Sequence, residues 1–118
     1  LTRGTVYSVS FSYAAAQWSL NKGATTETLQ VSLGGSTRQT TTYNLPSQGF
    51  SGWLSQTFTF MYDGTAPTLK FLATGTPAGE PPMILLDGVT MFDVPEPAAI
   101  AGLLSGCAVL ARVRRRRL

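Results

Sequence analysis

The chain has 118 residues, a net charge of +3, no histidine and one cysteine. Five of its nine basic residues lie in the last seven positions, and the residues before Ala98 carry four basic against six acidic side chains. That acidic balance excludes electrostatic binding of nucleic acid. The lack of histidine excludes Ser-His-Asp or Cys-His catalysis and an imidazole zinc site, and a lone Cys107 excludes a disulfide framework.

The first predicted strand covers residues 5–14, in which large apolar side chains alternate with serines. Tyr7, Val9 and Phe11 fall on one face of such a strand. A second predicted strand over residues 28–33 runs into two consecutive glycines, which can turn the chain because glycine accepts positive φ. We therefore expect a partner strand over residues 37–43.

Three further strands are predicted over residues 53–61, 68–73 and 84–92, and no ten-residue amphipathic helix competes before residue 94. The connections 14–27 and 74–82 are long, and loops of this kind carry ligand sites more often than buried sheet faces do. Short, Thr-rich strands separated by Gly and Pro predict an all-β fold, a jelly-roll-like antiparallel β-sandwich over residues 1–93. Because the sequence starts at Leu1 rather than methionine and shows no signal peptide, we expect the domain to be N-terminally truncated and its export signal to lie upstream.

Residues 94–118 form a separate region with three parts: Val94, Pro95, Glu96 and Pro97, then an apolar run over 98–111, then a basic tail over 112–118. Two prolines cannot be absorbed by a helix or a sheet, so the folded domain should end there. As a helix the apolar run rises about 21 Å, short of a bilayer core of about 30 Å, which makes it a marginal anchor. The positive tail should stay cytoplasmic and leave the domain outside. The arginines that would stop transfer are Arg112, Arg114, Arg115, Arg116 and Arg117.

This ending resembles the PEP-CTERM sorting signal of exopolysaccharide-producing Gram-negative bacteria, which combines a Pro-Glu-Pro motif, a short membrane helix and a basic C-terminus. The resemblance covers residues 94–118 and implies recognition by an exosortase, removal of the tail, and delivery to the cell surface or extracellular matrix. An ordinary C-terminal membrane anchor without a sorting enzyme is the main alternative. An arginine patch for nucleic acid is a weaker one.

The residues before the tail resemble the choice-of-anchor C family and related galactose-binding-like jelly rolls. The resemblance rests on residues 1–11, on the strand over 53–60, and on Leu85-Leu86-Asp87-Gly88-Val89. It implies a surface protein of about eight strands whose family has no established enzymatic activity. Family members more often have asparagine where Gly88 stands.

Asp87 is the acidic residue that we single out for metal binding. Carbohydrate-binding sandwiches similar to this one often hold a structural calcium with a last-strand aspartate and backbone carbonyls. The alternative, which we favour, is an aspartate that ties a strand end to a neighbouring turn. Asp63, beside Gly64, is predicted to be a turn residue, and Glu27 and Glu80 are expected in loops.

Aromatic residues suggest a glycan-binding face, because aromatic rings pack on the apolar C–H faces of pyranoses. Trp18, expected in a polar loop, is the strongest choice for stacking on a sugar. Core packing would explain Trp53 equally well. The other aromatic residues considered are Tyr43, Phe50 and Tyr62.

Together these features predict a non-enzymatic, exported protein of the surface or exopolysaccharide matrix that has no cofactor and binds glycan. The alternative is a purely structural matrix protein held by a simple C-terminal anchor. A glycosidase would need two carboxyl groups facing each other across a cleft, and six scattered acids predict no such pair.

Overall fold

The computed structural model describes residues 1–95, and these form an all-β structure of antiparallel strands without any helix. The fold class expected from the sequence is therefore confirmed at this level, whereas the predicted C-terminal helix lies outside the described residues. No segment of residues 1–95 forms a helix of the length and apolarity needed to cross a membrane. The strands are β1 Val6–Ala16, β2 Thr25–Leu33, β3 Ser36–Gln39, β4 Tyr43–Leu45, β5 Leu54–Met61, β6 Leu69–Thr76 and β7 Met83–Val94.

The strands form two sheets, each built around one central strand. Sheet I has the order β5-β1-β7. In sheet II, β2 pairs with β6 along one edge and with β3 and β4, one after the other, along the opposite edge. All strand pairs are antiparallel, so each strand alternates its side chains between the inner and outer faces of its sheet.

The core lies between the inner faces of the two sheets. The alternating residues of β1 predicted to share a face do so: Val9 and Phe11 are 0% and 3% exposed. Phe11 packs edge-on against Phe71 of β6, with ring centroids 5.4 Å apart. Val31 and Leu33 of β2 are fully buried in the same cluster, which joins sheet I to sheet II.

The outer face of sheet I is lined by hydroxyl groups over much of its length. The serines of β1 stand opposite hydroxyl residues of β5, and the Oγ atoms of Ser10 and Thr57 lie 2.8 Å apart. On the other side of β1, the pairing with β7 is interrupted by a β-bulge between Ser10 and Ser12. Gly88 lies in this bulge with φ of 61°, a conformation that glycine adopts without strain.

The two ends of the structure differ in what they carry. Antiparallel topology places the connections 17–24, 46–53 and 77–82 at one end, which we call the loop end. The β2–β3 turn and the β5–β6 connection lie at the opposite end. Val94, the last residue of β7, pairs there with Val6, so the chain leaves the domain at this end, which we call the exit end.

Two details differ from the prediction. Strand β2 begins at Thr25, so that Glu27, expected in a loop, is a strand residue that is 2% exposed. The strand predicted over residues 37–43 is divided into β3 and β4. Between them, Thr40 bonds to Leu29 of β2: the Thr40 N–H donates to the Leu29 carbonyl, and the Leu29 N–H donates to Thr40 Oγ1.

Candidate functional site: an aromatic surface at the loop end

Three aromatic side chains at the loop end are exposed. Trp18 belongs to the connection between β1 and β2, and Phe50 and Trp53 belong to the connection between β4 and β5. They are 47%, 55% and 55% exposed, respectively. We call these three residues the aromatic surface. About half of each ring is in contact with water and not with the core. That exposed area is available for contact with a ligand.

Hydrogen bonds hold the two loops of the aromatic surface together. The Gln48 N–H donates to Oε1 of Gln17 at 2.6 Å, and the Gly23 N–H donates to Oγ of Ser47 at 3.0 Å. The Gln48 side chain also donates to the carbonyl of Trp18, at 3.3 Å. Because these bonds cross between the loops, they fix the backbone of Trp18 relative to the segment that carries the other two rings.

The second loop is also bonded to the end of β1. Phe50 forms an antiparallel bridge with Ala16, and the Ser51 N–H donates to the Ala15 carbonyl at 2.9 Å. In return, the Ala15 N–H donates to Ser51 Oγ at 2.8 Å. The segment therefore extends the edge of sheet I beyond the β5 residue Leu54, which pairs with Tyr13.

Small side chains occupy the outer face of sheet I at the loop end. Ala14 and Ala16 alternate with the core residue Tyr13, so they face outward, yet they are only 0% and 9% exposed. On the β7 side they pair with Leu85 and Met83. The outer face of sheet I thus becomes apolar at the loop end, whereas hydroxyl groups line it towards the exit end.

The charge of the aromatic surface is low. Lys22 is the only charged residue in the segments 17–24 and 46–53, which contain no carboxylate. Residues 1–95 also enclose no pocket. A site of this kind offers stacking area to a ligand.

The structure separates the aromatic residues weighed in the sequence analysis. Trp18 is exposed as expected, and Trp53, for which core packing was an equal alternative, lies outside the core. Tyr62 is a core residue at 5% exposure, packs edge-on against Tyr7, and donates to the carbonyl of Thr65. Tyr43 is a β4 residue opposite Glu27. Phe50 and Trp53 were both among the aromatic residues considered from the sequence. Each directly follows a glycine, and the one before Trp53, Gly52, has φ of 75°.

Asp87 lies at the β-bulge of β7. It pairs with Ser12 and is exposed, and its Oδ1 accepts a hydrogen bond from the Gly88 N–H at 2.8 Å. Within residues 1–95, no group of three or more His, Cys, Asp or Glu side chains is placed to hold a metal ion. The local hydrogen bond accords with a structural role for Asp87, and calcium binding by Asp87 stays a prediction.

Comparison of the chain with protein-family models, with curated proteins and with solved structures finds no match. The two resemblances drawn from the sequence therefore stay predictions. The sorting residues Glu96 and Pro97 and the five tail arginines lie outside the described residues.

Proposed function

We propose that this protein is an exported, non-enzymatic β-sandwich of the jelly-roll type that binds glycans of the cell surface or exopolysaccharide matrix. The observation that carries the proposal is the aromatic surface, where Trp18, Phe50 and Trp53 stay exposed on loops bonded to one another. Preorganised loops lower the conformational entropy lost on binding. Aromatic rings on a rigid support suit the C–H faces of sugars.

Residues 94–118 act in this proposal as the sorting signal. An exosortase recognises Pro95, Glu96 and Pro97, while the apolar segment 98–111 holds the precursor in the inner membrane and the arginines stop its transfer. Val94 is the last strand residue and the exposed Pro95 follows it without regular structure, so this part of the motif is accessible to another protein. The alternative to sorting is retention by a simple membrane anchor.

The positions of the two sites support their working in one molecule. The aromatic surface is at the loop end, and the chain leaves the domain at the exit end. Strand β7 connects the two ends with 12 residues, a length of about 36 Å at about 3.3 Å per residue. A domain attached through its C-terminal segment would therefore present its aromatic surface away from the point of attachment.

The chain carries its own probe for glycan binding, because its two tryptophans, Trp18 and Trp53, both belong to the aromatic surface. The expected result is a change in intrinsic fluorescence when the full-length protein is titrated with exopolysaccharide from its host. Trp18→Ala and Trp53→Ala should each weaken binding about tenfold, equivalent to about 1.4 kcal/mol. Phe92→Ala is the matched control, since Phe92 is 57% exposed on the same sheet but near the exit end.

Circular dichroism of each variant would show whether the sandwich stays folded. Folded protein that binds no polysaccharide in the titration would contradict glycan binding and leave the purely structural matrix role. Hydrolysis of the polysaccharide would contradict the non-enzymatic assignment.

A further inference from the structure

We infer that the aromatic surface binds the flat C–H face of an extended, uncharged β-linked polysaccharide chain by stacking, with few hydrogen bonds to individual sugar hydroxyl groups. This inference rests on the proposed function and specifies its ligand class. It follows from what the polar side chains around the rings already do, and from the shape and charge of the surface.

The glutamine side chains of the two loops hold the loops in place. Gln17 donates to the hydroxyl of Thr25 at 2.8 Å and to the carbonyl of Gly23 at 3.2 Å, and its Oε1 accepts from Gln48. The Gln48 amide donates to backbone carbonyls of the first loop. A side chain that recognises a sugar hydroxyl must offer a free donor or acceptor, and the side-chain N–H donors of Gln17 and Gln48 are already bonded inside the protein.

The serines of the second loop are committed in the same way. Ser47 Oγ accepts from the Gly23 N–H, and Ser51 Oγ accepts from the Ala15 N–H while donating to the Gly52 carbonyl at 2.7 Å. Selection between sugars that differ in one hydroxyl depends on buried polar groups that the wrong sugar leaves unpaired. The absence of a pocket in residues 1–95 means that the described structure cannot enclose a single sugar and bury such groups.

What remains available is apolar area. The rings of Trp18, Phe50 and Trp53 are about half exposed, and Ala16, which pairs with Phe50, places only a methyl group beside that ring. A β-linked chain of pyranoses with equatorial hydroxyls presents extended C–H faces that match aromatic rings. Because several rings act on one ligand, binding should depend on how many sugar units can lie across the surface at once.

The charge of the site favours an uncharged chain. The two loops that carry the rings hold no carboxylate, and Glu80 is the one carboxylate among the three connections at the loop end. Lys22 is exposed, so salt screens its attraction for an anionic polysaccharide. A neutral chain that covers the rings does not have to move a charged group out of water, whereas a charged chain would.

The test uses the full-length protein and its tryptophan fluorescence. The probes are glucose, galactose, a β-1,4-linked glucan disaccharide and hexasaccharide, and the insoluble β-1,4-glucan in a pull-down. We expect no saturable response to either monosaccharide, affinity for the hexasaccharide about tenfold or more above that for the disaccharide, and retention on the insoluble polymer. Trp18→Ala and Trp53→Ala should each reduce retention, whereas Lys22→Ala should leave it unchanged.

The outcomes distinguish failure of the stacking inference from failure of the proposed glycan-binding function. Saturable binding of one monosaccharide, with glucose and galactose distinguished, would overturn stacking on an extended chain while leaving glycan binding intact. Loss of retention in Lys22→Ala, or binding restricted to a charged polysaccharide tested in parallel, would likewise overturn it. Failure of the folded protein to bind any polysaccharide, including that of its host, would overturn the proposed function itself.

Discussion

Oε1 of Glu27 accepts a hydrogen bond from the backbone N–H of Met83 at 2.8 Å. This contact joins β2 of sheet II to the first residue of β7 in sheet I. Glu27 is 2% exposed, and its other carboxylate oxygen is buried without a hydrogen-bond partner. Burial raises the pKa of Glu27 above its usual value, and the Met83 hydrogen bond only partly opposes this.

The raised pKa of Glu27 should make stability depend on pH. Between the ordinary glutamate pKa and the raised one, the folded state binds more protons than the unfolded state, so stability falls as pH rises through that interval. Glu27→Gln keeps an acceptor for the Met83 N–H and cannot ionise. It should raise the free energy of unfolding at neutral pH by about 1 kcal/mol and remove this fall. Urea unfolding from pH 4 to pH 7 measures both effects.

A second variant at Glu27 separates its charge from its hydrogen bond. Glu27→Ala leaves the half-buried Met83 N–H without an acceptor and should lower the free energy of unfolding by about 1–3 kcal/mol at low pH. If Glu27→Gln kept the pH dependence of the parent protein, another group would be responsible for it.

Gly75 is required because two strands approach closely at its position. It pairs with Glu27, and a Cβ there would lie 2.2 Å from the backbone oxygen of Thr26 and 3.3 Å from Pro82 Cβ. Gly75→Ala should therefore force β6 away from β2 and lower the free energy of unfolding by about 3 kcal/mol or more, the upper end of the range for overpacking. The control is Gly79→Ala, which meets no atom within 4 Å but has φ of 92° and should cost about 1–2 kcal/mol. An equal loss in chemical unfolding of both variants would contradict the steric argument.

Asp63 links the β5–β6 connection to the turn after β2. Its carboxylate accepts from the backbone and hydroxyl of Thr65 and, at 3.0 Å, from the Gly35 N–H. These hydrogen bonds, the Thr65 hydroxyl first, lower the pKa of Asp63. Its contribution to stability is therefore present above the ordinary aspartate pKa and is lost as pH falls through the lowered one.

Asp63→Asn should accordingly lower the thermal unfolding temperature at neutral pH and leave it close to that of the parent protein in strong acid. Thermal unfolding followed by circular dichroism at both pH values measures the difference. A difference of the same size at both would mean that the charge of Asp63 contributes nothing to the turn.

Strand β7 should be the main site of self-association in the isolated domain. It is 12 residues long, pairs on one side with β1, and exposes five large apolar side chains. A lysine on an edge strand discourages pairing with a second chain. Val89→Lys should slow aggregation in light scattering without lowering stability, whereas Leu20→Lys, the same kind of change in a loop, should do so less. Equal effects would mean that net charge, and not the edge, controls aggregation. The apolar residues concerned are Leu85, Leu86, Val89, Met91 and Phe92.

The sorting proposal predicts a processed C-terminus. Intact-mass measurement on the protein from its host should give a terminus at or near Pro97, without the arginine tail. Glu96→Ala, and separately deletion of residues 112–118, should leave the precursor unprocessed while the sandwich folds normally. Normal processing of both variants, or an intact Leu118 in the membrane fraction of the parent protein, would contradict sorting by an exosortase.

Much of the fold could be predicted because its signals are local. Alternation of Tyr7, Val9 and Phe11 with serines required one buried and one outward face for β1, and the glycine pair after Leu33 required a turn. Each signal is contained in fewer than about ten residues, so it survives without knowledge of the partner strand. The same holds for the compositional change at Val94.

The sequence by itself determined most of the strands, the turn after β2 and the loop position of Trp18, because periodicity, glycine and local polarity are properties of short segments. Only the tertiary structure decided that Trp53 is exposed while Tyr62 is buried, and that Glu27 is a buried link between the sheets. Burial depends on which strands cover a side chain, and those strands come from distant parts of the chain. For the same reason, the placement of Trp18 at the same end as Phe50 and Trp53 follows from hydrogen bonds between loops about 30 residues apart in sequence.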